Sequence, residues 1–301
     1  MNSLGYLIKR NIKLFFKDKG VFFTSLITPL ILLVLYVTFL GNVYKDTFLQ
    51  IFNGPIAIED QLIDGLVGGQ LFSSLLAVCC ITVSFCSNMI MVQDKVTNAR
   101  GDISMTPVKN STLAFSYYVA TFINTLIVCV TAAVCCLIYL AIIGWYLTFI
   151  DVLLIFLDVI ILVTFGTALS SIINYFLSSQ GQISAVGSIV SSCYGFICGA
   201  YMPISSFPKL LQKVIAFLPG TYGTSLLRNH TMGTVIQEIE GKGIPTQVTN
   251  IVKDTIDCNV YFFDNLVEEW QMYLILSTFA FGLVGVYVLM NMMSKRKKQK
   301  K

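Results

Sequence analysis

The chain has 301 residues, 55% of them hydrophobic and 12% charged, with a mean hydropathy of +0.76. A soluble chain of this length carries about a quarter of its residues as charge, so a water-facing fold is excluded and an all-α integral membrane protein is expected. The net charge of +4 comes from clusters that abut apolar tracts and carry no readout motif, which excludes nucleic acid as a partner.

Residues 1–20 place Leu4, Ile8, Ile12 and Phe15 at helical spacing beside five cations. That pattern predicts an amphipathic helix lying along a membrane surface and in contact with its lipid. Six tracts without Lys or Arg are long enough to cross a hydrocarbon core: residues 21–40, 66–92, 113–142, 150–173, 183–202 and 271–293. Together they form one transmembrane domain, residues 21–293, followed by a basic tail, residues 294–301. With six spans and an inner N-terminus, 14 of the 20 cations fall on the inner side, so both termini are expected in the cytoplasm. Trp145 and Trp270 then lie at the outer interface, where aromatic belts form.

Between the second and third tracts, residues 93–108 read QDKVTNARGDISMTPV. Their first half can form about two turns of mixed-charge helix, punctuated by Gly101 and Pro107. In the second tract, Gly65, Gly69, Ser73 and Ala77 recur every fourth residue, and in the fifth Gly187, Ser191, Gly195 and Gly199 do the same, beside a stripe of Ser184, Ser188 and Ser192. Such stripes let helices approach closely, within one subunit or across a seam between two. Phe72, Ser73, Phe85, Asn88, Ser184, Gly187, Ser188, Ser191, Ser192 and Gly195 are therefore the candidates for a substrate path or dimer seam.

Asp158 is the one acid well inside a tract, roughly 10 Å below Asp151 along a helix. An ionised acid at the bilayer centre costs about 2.5 to 3.5 kcal/mol, so protonation or a hydrogen bond is expected, with Thr131 as a candidate partner. Past the fifth tract, residues 203–269 form an outer loop. Leu210, Leu211, Val214, Ile215 and Leu218 make an apolar face too short to span, so a pair of re-entrant or interfacial short helices broken at Pro219 and Gly220 is expected.

Eight of the nine cysteines lie inside tracts and are expected as free thiols. His230, the single histidine, reads as an ordinary loop residue, and no metal or catalytic constellation is found. No phosphate-binding glycine loop occurs, so the chain has no visible nucleotide site and is not expected to be an enzyme.

Three features together, the loop ending Thr106, Pro107 and Val108, the basic N-terminal helix and the proline-rich outer segment, resemble the permease subunits of the ABC-2 family of ATP-binding-cassette exporters. Asp94, Gly101, Asp102, Thr106, Pro107 and Val108 match that family's loop pattern, while residues 96–99 are less charged than is typical. The resemblance implies that residues 94–102 form a coupling helix seated in an ATPase, with Lys95 and Arg100 among its contacts. It also implies that the outer pair caps the exit path through Pro203, Phe207, Leu218 and Pro219.

By the same resemblance the complex holds two ATPase subunits, which carry the ATP and magnesium, and a second permease subunit, expected to be identical. It sits in a bacterial plasma membrane. The expected cargo is an amphipathic drug, peptide or lipid-like molecule, since neither Trp lies in the seam; polysaccharide or glycoconjugate export is the alternative. A secondary transporter would show inverted repeats and more ionisable groups at mid-depth, and a membrane scaffold would need no ATPase.

Overall fold

The computed structural model describes residues 3–52, 58–263 and 265–298. It is almost entirely helical: α1 (Ser3–Lys17), α2 (Lys19–Leu35), α3 (Gly41–Ile51), α4 (Asp60–Val96), α5 (Ala99–Met105), α6 (Asn110–Ile143), α7 (Phe149–Phe176), α8 (Gln180–Ile197), α9 (Lys209–Ile215), α10 (Pro219–Gly241), α11 (Thr246–Thr255) and α12 (Glu269–Lys298). A two-stranded antiparallel hairpin, β1 (Tyr261–Phe262) and β2 (Asn265–Leu266), is the departure from the all-α expectation.

Among the described residues, five helical stretches are long and apolar enough to cross a membrane: Lys19–Ile51, Asp60–Val96, Asn110–Ile143, Phe149–Phe176 and Glu269–Met293. The chain is an all-α integral membrane protein. The tract at residues 183–202 forms α8, whose 18 residues include serines and glutamines that keep it out of that group. The first tract is longer than its apolar run suggests, because α2 continues through a π-helical turn (Tyr36–Leu40) directly into α3. Pro29 sits inside α2, where the bundle accepts it as membrane helices do.

Local sequence fixes the starts of two helices. Thr148 Oγ1 accepts the Asp151 amide while Asp151 accepts the Thr148 amide, closing a capping box at the head of α7. Ser179 and Gln182 do the same for α8.

The spans are organised around α4, whose apolar stretch is almost wholly buried within the chain, while the other spanning helices keep broad faces uncovered. It packs against α2, α6, α7, α8 and α10. Buried polar pairs knit this hub together: Asn88 Nδ2 donates to Ser170 and Ser171 at 3.1 and 2.9 Å, and Asn124 Nδ2 donates to Ser87 at 2.9 Å. In a hydrocarbon surround such side chains need partners, and here the partners lie on neighbouring helices.

Candidate functional site

The bundle has two ends. One carries α1, α5, the start of α6 and the close of α4; the other carries α9 to α11 and the hairpin.

At the first end α4 stops at Val96, and Asn98 takes a left-handed conformation with φ of 61° that turns the chain into α5. Asparagine tolerates this region better than most side chains. The expected single helix over 94–102 is thus two helices meeting at an elbow. None of the residues of α5 is buried, and Met105 is 87% exposed at its tip. Gly101, Asp102, Thr106 and Pro107 are exposed and Arg100 is half-buried.

Asp94 and Lys95, expected among the exposed contacts, point inward instead. Asp94 is 5% exposed and accepts two bonds from the Arg10 guanidinium, at 2.6 and 2.9 Å, and one from Tyr117 Oη at 2.5 Å. The hydrogen bond to Asp94 holds the Arg10 guanidinium above its ordinary pKa. A fork-to-carboxylate pair of this kind fixes orientation as well as charge. Lys95 Nζ donates to the carbonyls of Asn174, Tyr175 and Leu177, between 2.8 and 3.0 Å, and so caps the close of α7.

Arg10 belongs to α1, which packs against α6 with Asn11 and Phe15 buried. The expected stripe of Leu4, Ile8, Ile12 and Phe15 is therefore rotated, since the polar Asn11 lies inward and reaches Ser116 at 3.5 Å. The elbow, the surface helix and α7 are joined at one point by two adjacent residues of α4. Sequence reading missed Arg10 and Tyr117; the charge of Arg10 beside an apolar stripe was the one available signal.

Of the expected seam residues, Phe72, Ser73, Phe85 and Asn88 are buried inside the chain and pack α4 against its neighbours. Gly187 and Gly195 also face inward, where a Cβ at Gly187 would stand 2.7 Å from Met89 and one at Gly195 would meet the Tyr201 ring. Ser184, Ser188 and Ser192 are exposed, and Ser191 is half-buried. The glycine stripe packs α8 within the chain; the serine stripe has no cover.

At the other end, the short-helix pair expected after Pro203 is present: a 3-10 turn (Ile204–Ser206), then α9, then α10 starting at Pro219. Phe207 and Pro203 are half-buried, Leu218 is 37% exposed, and Pro219 is buried. The second helix is far longer than expected, runs on to Gly241, and packs against α4, α7 and α12.

This overturns the reading of His230 as a loop residue. It sits buried on α10, and its Nδ1 lies 2.6 Å from Asp158 Oδ2. Tyr273 Oη of α12 donates to Asp158 Oδ1 at 2.6 Å. Thr131, the expected partner, is exposed and turns to its own helix at Ile127. At the same end of the bundle, Arg228 is 1% exposed and bonds Asp257 at 3.2 Å and the Gly199 carbonyl at 2.6 Å. Asp257 in turn accepts the Ile204 amide at 2.8 Å.

Long apolar helices around one buried helix, with a short exposed elbow at one end and a helical cap at the other, define a polytopic α-helical membrane protein. Residues 2–231 match the family model of the ABC-2 type transporter, and the chain belongs to that family as its membrane-spanning permease component. No curated protein matches the chain.

Proposed function

We propose that the chain is the permease of an ABC-type exporter that carries an amphipathic molecule outward, driven by ATP hydrolysis in two copies of a separate cytoplasmic ATPase. The observation that carries this reading is the elbow: α5 is uncovered, yet its root at Asp94 and Lys95 is held by buried charge-assisted bonds. A force applied to α5 by a partner therefore enters α4, and through it every helix packed on that hub.

In this reading α1, α5 and both termini face the cytoplasm of a bacterial cell, in keeping with the cation distribution, and nucleotide and magnesium stay with the ATPase. Closure of the two ATPases shifts the elbow, and a second copy of the permease meets the first across α8. The uncovered Ser184, Ser188 and Ser192, flanked by the exposed Ile189 and Phe196, offer hydroxyls and apolar surface side by side. That mixture suits an amphipathic drug, peptide or lipid-like cargo.

The test is reconstitution with the cognate ATPase in proteoliposomes. Met105→Asp and Asp102→Arg should abolish co-purification and ATPase stimulation while leaving the fold intact. Arg10→Gln should keep assembly but lower transport at least tenfold, because α1 and α4 no longer move together. If wild-type protein neither captures nor stimulates an ATPase, the exporter reading fails.

A further inference from the structure

Asp158 is fully buried on α7, inside a stretch long and apolar enough to span. An ionised acid there is costly unless other groups replace its water. Both of its oxygens are taken: Tyr273 Oη of α12 donates to Oδ1, and His230 Nδ1 of α10 lies 2.6 Å from Oδ2. The two partner rings also lean on each other, with centroids 6.1 Å apart. Three helices, α7, α10 and α12, therefore meet at one carboxylate, and α10 is the long helix of the cap.

The charges that face His230 share one sign. On α7, Asp151 lies two turns from Asp158 on the same face, and its Oδ2 accepts Thr234 Oγ1 of α10, one turn beyond His230, at 2.7 Å. On α12, Glu269 stands one turn before Tyr273 and adds its negative charge. Helix α4 meets α10 through Gly65 and Gly69, which carry no charge. Helix α11 meets it ten residues further on, where the Glu240 carboxylate accepts Thr249 at 2.6 Å. Arg228, the nearest cation along α10, falls on the opposite face and is held by Asp257. Burial lowers the basicity of His230, but the hydrogen bond and charge of Asp158, joined by Glu269 and Asp151, outweigh it and raise the imidazole above its ordinary value.

We propose that His230 and Asp158 form a proton-binding site that latches α10 to α7 and α12. The bound proton makes His230 an imidazolium, which donates to Asp158 through Nδ1 and cancels the buried charge. Its Nε2 has no hydrogen-bond partner among the described residues, and the residue keeps 6% of its surface uncovered, which leaves the proton a way in. When the proton leaves, a net negative charge stays between Asp151 and Glu269, and the joint between cap and spans weakens. A group whose pKa is raised on folding adds stability that is complete below its unfolded value and disappears as pH rises through the folded one. The latch is thus firm below about pH 6.5 and loosens as the solution is made alkaline. In the orientation proposed above this end faces outward, so the latch reads the outer pH; the site itself depends neither on that orientation nor on an ATPase.

His230 is the single histidine of the chain, so its titration can be read directly. The full chain, purified without a polyhistidine tag and carrying isotope-labelled histidine, should show one imidazole signal by NMR, with a midpoint above the ordinary value of about 6.5. Asp158→Asn should bring that midpoint to the ordinary value or below it, because burial then acts without the nearest charge. In thermal unfolding the wild type should melt a few degrees higher near pH 6 than near pH 9. His230→Gln keeps a donor to Asp158 but binds no proton, and it should lose that difference.

A wild-type midpoint at or below about 6.5, a midpoint unmoved by Asp158→Asn, or the same pH dependence in His230→Gln as in the wild type would overturn the proposal. The wild-type titration needs no variant, so it decides even where Asp158→Asn does not fold. Failure to capture or stimulate an ATPase would sink the exporter reading and leave these measurements unchanged.

Discussion

Single residues decide how the helical cap opposite the elbow is held. Arg228 and Asp257 are both nearly inaccessible, and removing one partner of a buried pair leaves an uncompensated charge. Arg228→Met is therefore expected to cost about 3 to 5 kcal/mol in unfolding titrations with dodecyl sulfate. The double variant Arg228→Met, Asp257→Leu should cost clearly less than the two single losses added together, because the stranded charge is then gone. Gly199 belongs to the same point: its φ is +70°, and a Cβ there would lie 2.7 Å from Asp257 Oδ2, so Gly199→Ala should perturb the pair without touching either charge. Around Asp158 the stakes are smaller. Tyr273→Phe deletes one donor to a carboxylate that His230 still contacts, and about 1 kcal/mol is expected, in line with hydrogen bonds between membrane helices. A loss as large as that of Arg228→Met would show that Tyr273 carries the site and not His230. None of these pairings was legible in the sequence. Asp158, His230 and Tyr273 are far apart along the chain, and periodicity says which face a residue occupies but not which helix lies opposite.

At the scale of elements, helix contacts are set by small residues. Gly166 of α7 lies where a Cβ would come within 2.9 Å of the Cys80 carbonyl oxygen of α4. Backbone cannot step aside as a side chain can, so Gly166→Val must push the two helices apart. It is expected to cost about 1 to 3 kcal/mol, as overpacking does, and to weaken the contact between Ser84 and Thr167, now 3.5 Å. A thermal midpoint unchanged from wild type would refute this close packing. The spans themselves were readable, because an apolar run of the right length has few alternatives in water or lipid. The helix break at Asn98 was not readable: residues 93–105 contain no proline, and the left-handed turn depends on one asparagine. Nor did composition reveal that α4 is the hub, since its apolar content matches that of helices on the periphery. What distinguishes it is its polar residues, Asn88, Ser84 and Ser87, each of which reaches a neighbouring helix. Of these three, Asn88 is the one the sequence offered as a path or seam candidate, and within the chain it joins α4 to Ser170 and Ser171 of α7.

For the whole molecule the decisive question is what covers α8. This helix packs mainly on α4, with Gly187 against Met89 of α4 and Gly195 against the Tyr201 ring, while Ser184, Ser188, Ser192 and Cys193 are left uncovered. Hydroxyl-bearing side chains facing lipid forgo hydrogen bonds that a second helix could supply. If two copies meet there about a two-fold axis, each exposed position of α8 lies close to its own symmetry mate, because a two-fold interface is self-complementary. Cys193 offers a native probe of that geometry. In native membranes, mild oxidation with copper phenanthroline should convert the chain to a disulfide-linked dimer through Cys193, and Cys193→Ser should abolish the product. Placing the thiol instead at either uncovered serine, Ser188→Cys or Ser192→Cys in the Cys193→Ser background, should restore the product to differing degrees that map the axis. A thiol at Ile138, exposed on α6, should not cross-link under the same conditions. If the α6 position cross-links as readily as α8, the copies meet elsewhere or collide at random, and the serine stripe then serves lipid or cargo within a single chain. If only α8 reacts, the uncovered stripe is the seam, and the elbow on α4 is one helix away from it.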